Sequence, residues 1–223
     1  MNSIPTISIL FGTVDRPQST LNLIESIVRF TPPIKYKIII VDGSTKKNGI
    51  LQFAIDNPKI PICYYQEIKA QGYTKAYNIG AKFAEGKYLI WLNDDCLVLP
   101  EWATKIVNFM DNNPNIGVGG IPFNENNQFN IQQHVCKRYV ANFGCSPVAL
   151  WQLLNGFDEM YHSYGAEHDF CFKVLDIGYS VVPIPNVYIE HFRIRDEHHI
   201  NVLEPHRAGN YRILMQKWKK RLL

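Results

Sequence analysis

The chain has 223 residues, 46% hydrophobic and 19% charged, enough for one large α/β domain or two small ones around a sizeable core. Its net charge of +3 is spread along the sequence, which excludes a phosphate-tracking nucleic-acid stripe. The five cysteines, Cys63, Cys96, Cys136, Cys145 and Cys171, form no CxxC pair, which argues against a zinc site or a disulfide framework and for reduced thiols in a cytoplasmic protein. No signal peptide is visible, and no apolar run approaches the roughly 20 residues a membrane span needs, so membrane contact would be peripheral.

Ile7 to Phe11 reads as a short β-branched strand, followed by the loop Gly12-Thr13-Val14-Asp15-Arg16-Pro17. Asp15 can cap the helix that follows, from about Gln18 to Phe30, whose stripe Leu21, Ile24 and Val28 would pack on a sheet. Tyr36 to Val41 is a second buried strand, ending in Asp42-Gly43-Ser44. A third, Pro61 to Gln66, precedes a helix from Thr74 to Ala84 closed by Gly86. Tyr88 to Leu92 is apolar throughout, as a strand buried on both faces would be, and stops at Asn93-Asp94-Asp95. Adjacent carboxylates repel, so the pair implies a compensating cation or ligand; simple turn capping is the alternative.

This alternation predicts a parallel, doubly wound sheet over roughly the first 100 residues. Right-handed crossovers then bring the loops after Phe11, Val41 and Leu92 to one sheet edge, converging Thr13, Asp15, Asp42, Asp94 and Asp95 into a candidate site.

Beyond Pro100, Trp102, Ile106 and Met110 mark a helix whose apolar side belongs to the core. Asn124 to Gln133 is Asn/Gln-rich and reads as a mobile surface loop. A strand from Tyr139 to Cys145 and a helix from Val148 to Leu154 lead to Gly156-Phe157-Asp158-Glu159. A second acidic cluster, Gly165-Ala166-Glu167-His168-Asp169, opens a helix with Phe170, Val174 and Ile177 on its apolar side, and capping is the alternative role for both acids. Tyr179 to Ile189 is extended, limited by Pro183 and Pro185 to an edge or bulge, and ends at Glu190-His191. The tail from Pro205 reads as an amphipathic helix with Tyr211, Leu214, Met215 and Trp218 inward and Lys217, Lys219, Lys220 and Arg221 outward. It is a packing helix or, alternatively, a membrane-surface or acidic-partner patch. Gly117-Val118-Gly119-Gly120 lacks dinucleotide-binding spacing.

Taken in order, these motifs resemble those of glycosyltransferase family 2, the inverting enzymes of the GT-A fold. Ile7 to Arg16 resembles the family's first strand and nucleotide loop, and Ile39-Ile40-Val41-Asp42-Gly43-Ser44 the second, whose acid contacts the donor's base. Asn78-Ile79-Gly80 through Gly86-Lys87-Tyr88 to Asn93-Asp94-Asp95 is similar to the stretch ending in the DxD-type metal motif. Gly156-Phe157-Asp158-Glu159 with Glu167-His168-Asp169 resembles the acceptor-side acidic motif. Two departures stand out: Val14 replaces the aromatic that stacks on the base in many members, and Glu167 stands where the base is often aspartate. The Gln-x-x-Arg-Trp motif of the processive synthases is missing.

The resemblance implies a Rossmann-like, mostly parallel central sheet flanked by helices, with residues 1–100 as the nucleotide-sugar half. Residues 101–204 form the acceptor-binding and catalytic half of the same domain, and 205–223 the C-terminal helix. It implies transfer of one sugar from a nucleotide-sugar donor, UDP-sugar favoured, to a hydroxyl of a glycan, polysaccharide precursor or lipid-linked glycan. Asp95 and His191 are the expected ligands of Mn²⁺ or Mg²⁺, with imidazole favouring Mn²⁺ and a purely structural histidine as the alternative for His191. Asp94 is expected at the ribose or in support of the metal-ligand geometry, Asp42 at a base N–H, and Thr13 and Asp15 along the nucleotide. Lys75 is expected at a phosphate, with a solvated helix lysine as the alternative. Glu167 is the expected general base, and Asp169 orients the acceptor or caps the helix. A nucleotidyltransferase making a nucleotide sugar, or a non-catalytic sugar- or nucleotide-binding protein, is the alternative on the same fold.

Overall fold

A computed structural model describes residues 4–125, 128–130, 134–135, 138–197 and 199–222, with side chains described up to residue 219. Cys136, Asn126, Asn127, Gln132 and Gln133, and the side chains of Lys220 and Arg221, lie outside the described residues.

Strands β1 (Ile7–Thr13), β2 (Tyr36–Asp42), β3 (Ile62–Gln66) and β4 (Tyr88–Trp91) alternate with helices α1 (Pro17–Phe30), α2 (Ile50–Asp56) and α3 (Tyr73–Ala81). After them come β5 (Cys96–Leu97), α4 (Trp102–Asn112), β6 (Ile116–Gly120), β7 (Phe123–Glu125), β8 (Gln128–Asn130), β9 (His134–Val135), β10 (Arg138–Tyr139) and β11 (Gly144–Pro147). The chain ends with α5 (Val148–Leu153), α6 (Ala166–Asp176), β12 (Ser180–Pro183), β13 (Ile189–His191) and α7 (Arg207–Leu222). The central sheet has seven strands in the order β12-β6-β11-β4-β1-β2-β3, all pairings parallel except those of β11.

Period-two alternation explains why this sheet needs cover on both sides. Ile7, Ile9 and Phe11 of β1 join α1 and α4 in one core, while Leu10 faces the other with Trp91, α3, α5 and α6. The α1 stripe is centred on Leu23, Ile24 and Ile27, with Leu21 and Val28 at its margins, and Trp102, Ile106 and Met110 are buried as expected. In α7, Leu214 and Trp218 are buried but Met215 is exposed, which narrows the expected apolar face; Ile177, just after α6, is exposed as well.

Four local expectations need correction. Asp15 does not cap α1: it takes a left-handed φ of 54°, its N–H donates to Ser44 Oγ, and Arg16 occupies the cap position. The expected strand from Tyr139 to Cys145 is two pieces, β10 and β11, in different sheets. The helix expected to run to Ala84 stops at Ala81, and Gly86 turns with a positive φ into β4. Finally, the stretch expected as a mobile loop holds β7 and β8, which with β13 and β5 make a four-stranded sheet. Its polar side chains misled because the backbone does the pairing, with Asn124 Nδ2 donating to Glu190 Oε2 at 2.9 Å. In that sheet His191 is the register partner of Cys96, so the late strand lies against the residue following Asp95.

Candidate active site

The first wall of the site forms where β1 and β4, parallel neighbours, both end. Asp94 is buried there, with Oδ2 accepting from Thr13 Oγ1 at 2.8 Å and Oδ1 from Arg16 Nη1 at 3.2 Å. Burial pushes its pKa up to about 6, helped by Asp95, while Arg16 and Thr13 oppose the rise. Asp95 is also buried, but against that penalty the His191 ring, the Ile194 N–H and Arg16 hold its carboxyl below the usual range.

Asp95 Oδ1 has no hydrogen-bond partner among the described residues, yet it lies 3.3 Å from His191 Nε2. On the other side of the ring, Nδ1 meets Glu125 Oε2 at 2.9 Å, and Arg193 Nη1 donates to Glu125 Oε1 at 2.8 Å. Burial works against the imidazolium, but Asp95 and Glu125 outweigh it and raise the His191 pKa. Arg16 closes this wall from outside, reaching Asp94, the Ile194 carbonyl and Asp196, with its Nη1 3.9 Å from Asp95.

The donor set suits a hard or borderline divalent ion. Two ligands bound at roughly 2.1 Å to one ion sit about 3 Å apart in a cis arrangement, close to the spacing of Asp95 Oδ1 and His191 Nε2. Glu125 fixes the imidazole from behind, as carboxylates do for metal-bound histidines. Among the described residues no group of three or more His, Cys, Asp or Glu side chains could hold a metal by itself, so an ion here would need ligands from elsewhere, such as phosphate oxygens.

The second wall is the first turn of α6. Glu167 and His168 both line the cavity, which also takes in Thr13, Asp94, Asp95 and His191 and has a volume of about 790 Å³. Glu167 is half-buried, its buried Oε2 has no protein partner among the described residues, and burial pushes its pKa up to about 7 despite the nearby amides of Glu167 and Gly165. A carboxyl poised there can accept a proton near neutral pH.

Asp169 does not line the cavity. Two positions along a helix is a rotation of about 200°, so Glu167 and Asp169 cannot face the same way. Asp169 Oδ1 instead accepts from Tyr161 OH at 3.1 Å and Trp218 Nε1 at 2.6 Å, with Lys217 Nζ at 2.9 Å. That ties α6 to the C-terminal helix.

The other expected residues divide similarly. Thr13 lines the cavity beside Asp94, whereas Asp15 does not. Asp42 is fully buried behind the wall, its oxygens accepting from the Ser44 N–H at 2.8 Å, Asn48 Nδ2 at 2.6 Å and Tyr64 OH at 2.8 Å. Lys75 is exposed on α3 outside the cavity, and Lys69 lines it instead. Arg16, Tyr73, Glu125, Asn142 and Tyr211 also line it and had no site role in the sequence, Tyr211 being read as a packing residue; only Arg16, inside the first motif, carried a signal.

Residues 8–173 match the family described as Glycosyl transferase family 2. The chain belongs to glycosyltransferase family 2. An uncharacterized glycosyltransferase of Haemophilus influenzae is 27% identical over 110 residues, covering 49% of this chain and 36% of that protein. The chain thus spans about a third of that relative's length. Among solved structures, GalNAc-T7 with UDP, GalNAc and Mn²⁺ is similar with a TM-score of 0.76 and 17% identity, over 98% of this chain and 50% of that one. S. aureus TarS 1-349 in complex with UDP-GlcNAc gives 0.73 and 16%, over 88% and 61%. The mannosyltransferase PcManGT of Pyrobaculum calidifontis with GDP-Man and Mn²⁺ gives 0.71 and 16%, over 89% and 60%. At these identities the likeness is one of fold, and the fold is GT-A. Among the described residues no helix is long and apolar enough to cross a membrane.

Proposed function

We propose that this family member is a metal-dependent, inverting, non-processive glycosyltransferase that moves one sugar from a nucleotide sugar, UDP-sugar favoured, to a hydroxyl of a glycan or lipid-linked glycan. One observation carries the reading. A single cavity has a cation-seeking acid pair with His191 on one wall and, on the other, a carboxyl with one unpartnered oxygen and a pKa raised to about 7. That division suits a single displacement, with the leaving group on one side of the anomeric carbon and a proton acceptor on the other. Neighbours of the same fold whose structures hold UDP, UDP-GlcNAc or GDP-Man, two of them with Mn²⁺, support a nucleotide-sugar donor.

In this reading Asp95 and His191 hold Mn²⁺ or Mg²⁺, whose bound charge would stabilise the departing diphosphate. Asp94, positioned by Thr13 and Arg16, accepts from the ribose. Glu167 takes the proton of the acceptor hydroxyl as it attacks, and its unpartnered Oε2 is the atom available for it. Asp42 serves the base pocket through the Ser44, Asn48 and Tyr64 groups it orients, since those groups occupy its oxygens. Asp169 positions α6 from behind. Residues 1–100 then form the donor half, 101–204 the acceptor half, and 205–223 the helix that braces the second.

The test is a panel of nucleotide sugars with Mn²⁺, following release of nucleoside diphosphate. Slow release without acceptor, lost on chelation, is the expected result. Pyrophosphate-dependent formation of a nucleoside triphosphate would instead make the protein a nucleotidyltransferase.

A further inference from the structure

One buried group at this site has no part in the chemistry above. His168 follows Glu167 in the first turn of α6, is only 5% exposed, and lines the cavity. Its Nε2 lies 3.0 Å from Asn142 Oδ1. An amide oxygen only accepts, so Nε2 carries the hydrogen and Nδ1 is left as a bare lone pair. Nδ1 is buried and has no hydrogen-bond partner among the described residues. Burial also lowers the ring's pKa to about 4, which keeps the imidazole neutral and Nδ1 an acceptor at physiological pH. A buried acceptor without a donor costs free energy, and a fold sustains it where something other than the protein supplies the hydrogen.

The surroundings of the ring say what that partner is. Asn142, which fixes the ring, is followed by Phe143, whose ring stands edge-on to His191 with centroids 5.1 Å apart. The residue before His168 is Glu167, and the Tyr211 ring lies 5.9 Å away on the α7 side. His168 therefore lines the same cavity as Asp95 and His191 and adjoins Glu167 in the first turn of α6. In an inverting displacement the space between those groups belongs to the sugar in transfer, flanked by its leaving group and its nucleophile. A sugar at that place offers hydroxyl hydrogens to a lone-pair acceptor.

We propose that His168 Nδ1 accepts a hydrogen bond from a hydroxyl of the transferred sugar, making His168 a residue that selects donors carrying that hydroxyl. The proposal rests on the glycosyltransferase reading and deepens it. Sites built to bind a substrate hydroxyl reject analogues lacking it far better than apolar pockets reject an added group, because the buried partner is left unpaired. His168 would thus contribute donor choice, while Glu167 contributes rate.

The test compares His168→Phe, which keeps a ring but removes Nδ1, with His168→Asn, whose amide oxygen can take the place of Nδ1. Calorimetric binding with Mn²⁺ is measured for UDP and GDP, for UDP-glucose, UDP-GlcNAc and GDP-mannose, and for monodeoxy forms of the sugar that wild type prefers. Expected is H168F binding the bare diphosphates within about twofold of wild type but the preferred nucleotide sugar about tenfold more weakly, with H168N recovering part of the loss. One monodeoxy donor should lose about tenfold with wild type and almost nothing further with H168F. Equal losses for diphosphate and nucleotide sugar would reduce His168 to a structural role and overturn the proposal, as would unchanged binding throughout. A wild type that binds the bare diphosphates but none of the sugar-bearing probes would overturn the glycosyltransferase reading as well.

Discussion

At the end of β4, three of the four carboxylate oxygens of Asp94 and Asp95 have a hydrogen-bond donor, from Thr13, Arg16 and Ile194, and the fourth lies 3.3 Å from His191. At the start of α6, the buried Oε2 of Glu167 has no donor among the described residues, while Asp169, two residues further on, has Oδ1 held by Tyr161, Trp218 and Lys217 and Oδ2 3.7 Å from Lys173 Nζ. The difference separates three uses of a buried carboxylate. Asp95 is held ionised, ready for a cation, beside an Asp94 raised to about 6; Glu167 is held near its titration point, ready for a proton; Asp169 is tied to neighbouring donors and bears on structure.

The sharpest test of that division is Glu167→Gln. Transfer should fall 10² to 10⁴-fold while nucleoside diphosphate binding stays within about twofold, and an active variant would remove Glu167 as base. Stability should move the other way. A carboxyl whose pKa is raised to about 7 in the folded chain, against 4.5, contributes stability below 4.5 that is lost as pH rises through 7. Gln removes that loss, so chemical denaturation should show the variant about 2 kcal/mol more stable at pH 8 and no more stable than wild type near pH 4. In the wild type, kcat/KM should rise with pH through about 7.

Asp169→Asn should do the reverse. Asp169 is fully buried and accepts from the buried donors Tyr161 and Trp218, and losing hydrogen bonds to a charged group typically costs about 1.5 to 3 kcal/mol, so this variant should unfold at lower denaturant, with activity lost only as far as the fold is lost. If Asp169→Asn were as stable as wild type and inactive, its role would be chemical and the comparison within α6 would fail.

How far the sequence could carry this follows from the same residues. Continuous apolar runs ending in acids were readable because buried parallel strands need apolar side chains on both faces, and these place Thr13, Asp42 and Asp94 at one edge. Strand β6 was not readable, because Gly117 and Gly119 are there for lack of room: a Cβ on Gly117 would come within 2.5 Å of Val174, and one on Gly119 within 2.8 Å of Met110. Such crowding is a property of the assembled layers. The split between Glu167 and Asp169 was readable in principle from helical rotation, but not which of them faces the cavity. That depends on where α7 docks, as it does through Trp218. Glu125 was hidden in an Asn-rich stretch whose pairing with β13 only the fold reveals.

Glu125→Gln probes the cation side of the comparison. Loss of a carboxylate behind a metal-bound histidine typically weakens metal binding 10 to 100-fold, so the Mn²⁺ concentration for half-maximal activity should rise by that factor, with activity recovered at saturation. Unchanged Mn²⁺ dependence would take His191 out of the metal site.

The smallest expected effect comes from Arg16→Met, and it bears on whether Arg16 is the internal counter-ion of the acid pair. Burial opposes its charge, but Asp196, Asp94 and Asp95 hold the guanidinium protonated, so wild type carries one fixed cation beside the place proposed for a divalent one. Removing it leaves two buried carboxylates facing each other with less compensation, which costs stability without metal and lets bound Mn²⁺ restore more of it. The rise in Tm on Mn²⁺ addition should therefore be larger in Arg16→Met than in wild type at pH 8. The excess should shrink toward pH 6, because Asp94, already raised to about 6 and pushed further without Arg16, then takes up a proton and relieves the repulsion by itself. An excess that is the same at both pH values would mean that Arg16 serves Asp196 and the 192–197 segment, and that the two aspartates tolerate each other without it.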